Sequence, residues 1–278
     1  MTADDRRAIL VTGCSSGIGL DAARTLAARG WRVFAACRKA EDVARLAGEG
    51  LESLRLDYED PATIAEAAGA ALERSGGRLD ALFNNGAYAI PGFLEDMPVA
   101  AMRAIFEANL FGWHDLTRRV LPAMRARGRG RIVQCSSVLG FAAARWRGSY
   151  VATKFALEGY SDTLRMELRG SGVAVSLIQP GPIATRFNEN AYAQFERWID
   201  REASAHRAEL GEIARRYRSA EGANPFTLPP AAVTRRLIHA VESPRPRARY
   251  RVTTPTHVAA ALKRFAPGWA LDRVMARN

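Results

Sequence analysis

Through its first 180 residues the chain alternates short, β-rich apolar runs with helix-patterned segments, and that rhythm leaves few folds open. Residues 8–11, 31–36, 51–56, 79–83, 131–135 and 173–178 read as strands. Between them residues 18–29, 41–47, 61–74, 98–127 and 150–169 read as helices. The segment 98–127 places Met102, Ile105, Phe106, Leu110, Trp113, Leu116, Val120 and Met124 on one buried face, with Pro122 expected to bend it. Strands that are apolar throughout, rather than at alternate positions, are covered on both faces, so the pattern predicts a doubly wound parallel α/β sheet. Ligands of such sheets bind at the carboxyl ends of the strands.

After Thr185 the rhythm changes to a polar helical stretch over 188–218, a breaker cluster at 225–230, a helix over 231–241 and a last strand near 250–253. The 278 residues suit one domain, with a core over 1–185 and a lid and C-terminal extension over 186–278. With 48% hydrophobic and 25% charged residues the chain carries a core of its own, which excludes disordered and fibrous classes. The net charge of +11 lies mostly in the last third: residues 1–185 hold 23 basic and 20 acidic side chains, residues 186–278 hold 17 and 9. The arginines are dispersed rather than gathered on one helix between aromatics, so no nucleic-acid partner is expected. Arg245, Arg247, Arg249, Arg251, Lys263 and Arg264 read as a solvated basic tail, with docking on anionic lipid as the alternative. Cys14, Cys37 and Cys135 form no C-x-x-C pair and His114, His206, His239 and His257 no ligand spacing, so neither disulfide framework nor metal site is expected. No run of about 18 apolar residues occurs, and the acidic start lacks a basic export signal; a cytoplasmic location is expected.

Three motifs sit where the sheet's ligand rim should be. Thr12-Gly13-Cys14-Ser15-Ser16-Gly17-Ile18-Gly19 joins the first strand to the first helix, where glycines allow a tight turn and aim free helix N–H groups at a pyrophosphate. At the end of the second strand stands Cys37-Arg38-Lys39, where NAD enzymes present a carboxylate to the ribose. A guanidinium there binds a 2′-phosphate through two parallel hydrogen bonds, and Ser15 and Ser16 add hydroxyl donors, so NADP(H) is expected. Tyr150 and Lys154 are four residues apart on one helical face. At about 4 Å and an effective dielectric near 20, the ammonium is worth roughly 4 kcal/mol to a phenolate, or about three pKa units. Ser137 follows a strand on the same rim.

With these motifs in this order from Thr12 to Thr185, the chain resembles the short-chain dehydrogenase/reductase family, and TGCSSGIG with Arg38 is most similar to its subgroup around 17-beta-hydroxysteroid and retinol dehydrogenases. The resemblance implies that Tyr150 exchanges a proton with the substrate oxygen while Lys154 lowers the phenol's pKa and holds the nicotinamide ribose. It implies that Ser137 orients the carbonyl and that Asn109 holds a water in the proton relay. It further implies cofactor contacts from Gly13, Ser15, Ser16, Gly17, Ile18, Gly19, Arg38, Asp57, Asn84 and Gly86, with Pro180, Gly181, Ile183 and Thr185 wrapping the nicotinamide amide. Asn84-Asn85-Gly86-Ala87 transposes the two small residues of the family's usual Asn-Asn-Ala-Gly, which bears on the local backbone path. The expected reaction is reversible hydride transfer that interconverts a hydrophobic ketone or aldehyde and its alcohol, with reduction the favoured direction, in a homodimer or homotetramer built on helices 98–127 and 150–169. Residues 88–93, 139–146 and the lid, with Phe93, Phe141, Trp146, Phe187, Phe195 and Trp198, are expected to form the pocket. A catalytically silent NADP-sensing protein is the reading from another class, and intact Asn109, Ser137, Tyr150 and Lys154 argue against it.

Overall fold

The computed structural model describes residues 6–218 and 225–275; the acidic start, Asp4 and Asp5, lies outside them. Seven strands form one parallel sheet: β1 (Ala8–Thr12), β2 (Arg32–Cys37), β3 (Glu52–Arg55), β4 (Leu79–Asn84), β5 (Gly130–Cys135), β6 (Val173–Gln179) and β7 (Arg249–Arg251). Their order is β3-β2-β1-β4-β5-β6-β7. The doubly wound parallel sheet read from the sequence is therefore what forms. β1 and β4 are buried along their whole length, since side chains such as Ile9, Leu10, Leu82 and Phe83 meet helices on either face. The chain winds outward from β1 to β3, then returns to β4 on the other side of β1, so β1 and β4 flank the switch point where a crevice opens.

The helices are α1 (Gly17–Ala28), α2 (Ala40–Gly48), α3 (Pro61–Arg74), α4 (Val99–Phe106), α5 (Gly112–Ala126), α6 (Gly148–Glu167), α7 (Phe187–Trp198), α8 (Arg207–Arg218), α9 (Ala231–Glu242), α10 (Thr254–Phe265) and α11 (Gly268–Met275). α1 packs against α9, and α3 against α5. Three expectations are corrected here. The segment 98–127 is helical over 99–126 but not α-helical throughout: a π turn, Glu107–Phe111, lies between α4 and α5 where Asn109 bonds the chain after β4, and Pro122 lies inside α5. The stretch 188–218 is also two helices, since Asp200 Oδ1 accepts from Glu202 N and Ala203 N and Ser204 Oγ accepts from His206 N, a local alternative to helix. Finally, β7 ends at Arg251, and α10 and α11, which the sequence reading lacks, follow it; Pro255 stands in the first turn of α10.

Beside the main core lies a second apolar cluster. Ala191 and Phe195 of α7 and Leu210, Ile213 and Ala214 of α8 pack on Ile90, Met97, Ala101, Ile105 and Tyr150. The segment after Thr185 is thus packed over Tyr150 and the chain that follows β4.

Candidate active site

The turn after β1 is shaped by close approach. Gly13 and Gly17 have φ of +68° and +57°, a region that costs other residues strain. A Cβ on Gly19 would lie 2.2 Å from Gly13 O, one on Gly13 2.7 Å from Gly86 Cα, and one on Gly17 2.9 Å from Thr185 Cγ2. Segments following β1, β4 and β6 therefore meet here. Ser16 caps α1 with no side-chain hydrogen bond, which leaves the first-turn N–H groups of α1 to an anionic ligand. This glycine cradle over an uncapped helix end fits a pyrophosphate. Gly86 differs from its neighbours: its φ is not positive, and a Cβ would make ordinary contacts of 3.4 Å with Gly13 and Tyr58, so the transposed Gly86-Ala87 pair leaves the path intact. Gly86→Ala is expected to be neutral or stabilising by up to about 1 kcal/mol. Gly19→Ala is expected to lower the melting temperature and abolish dinucleotide binding; thermal melts with and without NADPH compare the two.

Asn84 is fully buried between strands. Its Nδ2 donates to Thr117 Oγ1 (3.1 Å) and Gln134 Oε1 (2.9 Å), and its Oδ1 lies 2.8 Å from the Tyr58 hydroxyl, itself 2.8 Å from Thr12 Oγ1. Its side chain is thus engaged with the scaffold, which leaves its main chain to face the rim. Asn85 takes the position nearest the turn, with Nδ2 on Thr12 O at 3.0 Å. Trp113 Nε1 holds Gly86 O at 3.0 Å.

At the β2 and β3 ends, Arg38 is exposed and Asp57 half-buried, its Oδ1 accepting from Glu59 N. Sequence reasoning missed the neighbouring Glu59. Burial and the Asp57 charge hold its carboxyl above the usual range, against Arg197 and Arg38. It faces the Tyr88 hydroxyl, which burial and the Glu59 charge push well above its ordinary value.

The proposed proton-transfer groups gather at the β5 end. Ser137 caps a 3-10 turn, its Oγ accepting from Leu139 N (3.1 Å), and its hydroxyl is near enough to the Tyr150 phenol to favour the ionised form. Asn109, fully buried, donates to Tyr88 O (2.8 Å) and Thr153 Oγ1 (3.2 Å) and accepts from Tyr88 N (3.1 Å). Its amide ties the chain after β4 to α6. Lys154 is 1% exposed; its Nζ donates to Cys135 O at 2.8 Å and lies 4.3 Å from the Trp113 ring centre and 5.5 Å from that of Tyr150. Burial pulls the ammonium down to about 8, with Cys135 and Glu158 opposing. The phenol of Tyr150 is not lowered, as the spacing argument expects. Burial raises it above its ordinary value and Cys135 adds to this, while the Ser137 hydroxyl and Arg147 oppose. Desolvation outweighs Coulomb attraction because Phe187 covers the ring at 5.4 Å and Lys154 points to the Cys135 carbonyl.

The β6 end completes the rim. Pro180 O accepts from Val138 N (2.8 Å), Gly181 leaves no room for a Cβ beside Thr253 Oγ1 (2.1 Å), and Ile183 pairs with Leu228. Thr185 Oγ1 accepts from Phe187 N at 3.3 Å. Of the expected pocket residues, Phe93, Trp146, Phe187, Phe195 and Trp198 join the second cluster with Tyr150, whereas Phe141 stands apart with its carbonyl on Lys263. Phe195 is wholly buried and anchors the lid rather than lining a free surface. Glu158, four residues beyond Lys154, was also missed; it accepts from Gln179 Nε2 (2.9 Å) and Arg249 Nε (3.0 Å). The spacing Tyr150, Lys154, Glu158 on one helix face is the signal that could have found it. Among the described residues no group of three His, Cys, Asp or Glu is placed to hold a metal ion.

The family profile described as short chain dehydrogenase matches residues 7–196. An uncharacterized oxidoreductase of Escherichia coli strain K12, YbbO, is 42% identical over 270 residues, 97% of this chain and 94% of that protein. Human 17-beta-hydroxysteroid dehydrogenase type 1 is 35% identical over 208 residues, 70% of this chain and 62% of its own length. Among solved structures, a short chain dehydrogenase/reductase from Burkholderia phymatum in complex with NAD superposes with a TM-score of 0.78 at 26% identity, over 95% of this chain and 94% of that one. Actinorhodin polyketide ketoreductase with NADPH gives 0.72 at 27% identity, over 91% and 97%.

Proposed function

Since the chain belongs to the short-chain dehydrogenase family, an oxidoreductase family whose solved relatives hold nicotinamide cofactors, we propose that it reduces a hydrophobic ketone or aldehyde with NADPH, Tyr150 giving the proton. The observation that carries this reading is the convergence of Ser137, Tyr150 and Lys154 at the β5 end, beside the uncapped α1 turn. In this reading Gly13, Ser15, Ser16, Gly17, Ile18 and Gly19 cradle the pyrophosphate, Arg38 takes the 2′-phosphate, and Asp57 meets the adenine. Asn84 and Gly86 contribute main chain, and Pro180, Gly181, Ile183 and Thr185 hold the nicotinamide amide. When bound, the nicotinamide supplies the hydride.

The chain's own residues manage the substrate oxygen. A phenol held above its ordinary range is protonated at neutral pH, the state needed to give a proton to a carbonyl oxygen. Ser137, whose hydroxyl stands near that phenol, orients the carbonyl, and the Lys154 ammonium steadies the phenolate left behind. Asn109 holds the backbone at Tyr88 and, in this reading, positions a water of the proton relay. The apolar second cluster supports a hydrophobic substrate and excludes bulk water. Exposed Phe111 on the π turn and Phe155 and Met166 on α6 support pairing of copies through these helices. Three free, buried cysteines are consistent with the cytoplasm.

The test is a panel of aldehydes and ketones graded in apolar size, followed by loss of NADPH absorbance. Turnover is expected to rise with apolar size and to be much slower with NADH. Binding of NADPH without turnover across the panel would instead select the silent sensor.

A further inference from the structure

The amphipathic pattern of α10 is inverted. Thr256 and Ala259 face the protein, while Val258, Ala261 and Phe265, spaced three and four residues apart, face outward. Val258 is 52% and Phe265 80% exposed, and Trp269, four residues further on in α11, is 69% exposed. A helix whose apolar stripe served the fold would turn it to the core. Exposed Lys263, Arg264 and Arg273 accompany the stripe. Residues 243–278 contain eight Lys and Arg against the single acid Asp272. α10 touches the body of the fold through Lys263, whose Nζ donates to Phe141 O at 2.5 Å and lies over the Phe155 ring at 4.8 Å.

We propose that the α10–α11 arm docks on an anionic lipid surface, with Phe265 and Trp269 entering the headgroup region and Arg264 and Arg273 on the lipid phosphates. Aromatic side chains flanked by Arg and Lys are suited to that boundary, where ring and charge are both satisfied. Among the described residues no helix is long and apolar enough to cross a membrane, so the contact is peripheral. A second copy is the poorer occupant: a two-fold interface here would set one basic patch against its own image. Docking would bring the 3-10 turn Val138–Gly140 and Phe141 to the bilayer, where an apolar carbonyl substrate is dissolved; this last step rests on the function proposed above.

The full-length protein is sedimented with vesicles of phosphatidylcholine alone or with phosphatidylglycerol. Binding is expected only with phosphatidylglycerol, to weaken with salt, and to shift the Trp269 fluorescence to the blue. Phe265→Ser with Trp269→Ser is expected to lower partitioning ~10-fold or more, and Arg264→Glu with Arg273→Glu to remove the anionic preference. Both variants should keep the wild-type melting temperature and turnover of a water-soluble aldehyde. Equal sedimentation with both vesicles, or variants that bind as wild type does, would overturn the proposal. So would variants that change the oligomeric state instead, since the face then belongs to a second copy. Sedimentation needs no turnover, so this proposal and the reductase reading fail separately.

Discussion

Tyr150→Phe is expected to lower kcat/KM for NADPH-dependent carbonyl reduction by about 10³-fold, some 4 kcal/mol of transition-state stabilisation, with NADPH affinity nearly unchanged. The substitution removes one oxygen from a ring that Phe187 already covers, and phenylalanine fills the same space. Its structural cost is the polar contact of one hydroxyl, at most about 1 kcal/mol, so the melting temperature falls by only a few degrees. A loss of turnover with retained fold and cofactor binding isolates the proton from everything else the ring does. If more than a tenth of the activity survives, the proton comes from another group, and Ser137 is the next to test, because its hydroxyl is the one that bears on the phenol's ionisation among the described residues at the β5 end.

The strands were legible because burial on both faces writes itself as unbroken apolar runs, as in Ile9-Leu10-Val11 and Ala81-Leu82-Phe83. Where a contact distant in sequence decides local structure, the pattern misleads. Nothing in the apolar periodicity of 98–127 foretells that Asn109 reaches Tyr88 and opens a π turn. The glycine turn and the Tyr150–Lys154 spacing were readable because each is a local geometric requirement. Glu59 was not, since its effect at the rim depends on Tyr88 and Arg197 from elsewhere in the chain. The expected lowering of the Tyr150 pKa failed for a related reason: sequence gives the partner's charge but not the burial, and burial dominates. α10 was passed over because its outward face is the apolar one, which a search for core-facing stripes does not recognise as part of the fold.

Arg38→Asp is expected to reverse cofactor preference, raising the NADPH Kd by about 30-fold, or some 2 kcal/mol, while tightening NADH several-fold. The guanidinium is exposed, so its hydrogen bonds to a phosphate are screened and are worth less than buried ones. The carboxylate that replaces it adds the larger effect. Asp57 and Glu59 already place two acids at this end of the crevice, and Arg38 is one of the two cations whose field opposes the Asp57 charge on Glu59. Replacing that cation with a third acid turns the surroundings of a doubly charged 2′-phosphate from mixed to repulsive, whereas the ribose hydroxyls of NADH gain an acceptor. The ratio of the two dissociation constants, measured by fluorescence titration, is therefore expected to change by ~100-fold or more. An unchanged ratio would mean that a neighbouring cation reads the phosphate. Lys39 is the one placed to do so, although its Nζ stands 3.3 Å from Glu41 Oε1, a pairing it would first have to give up.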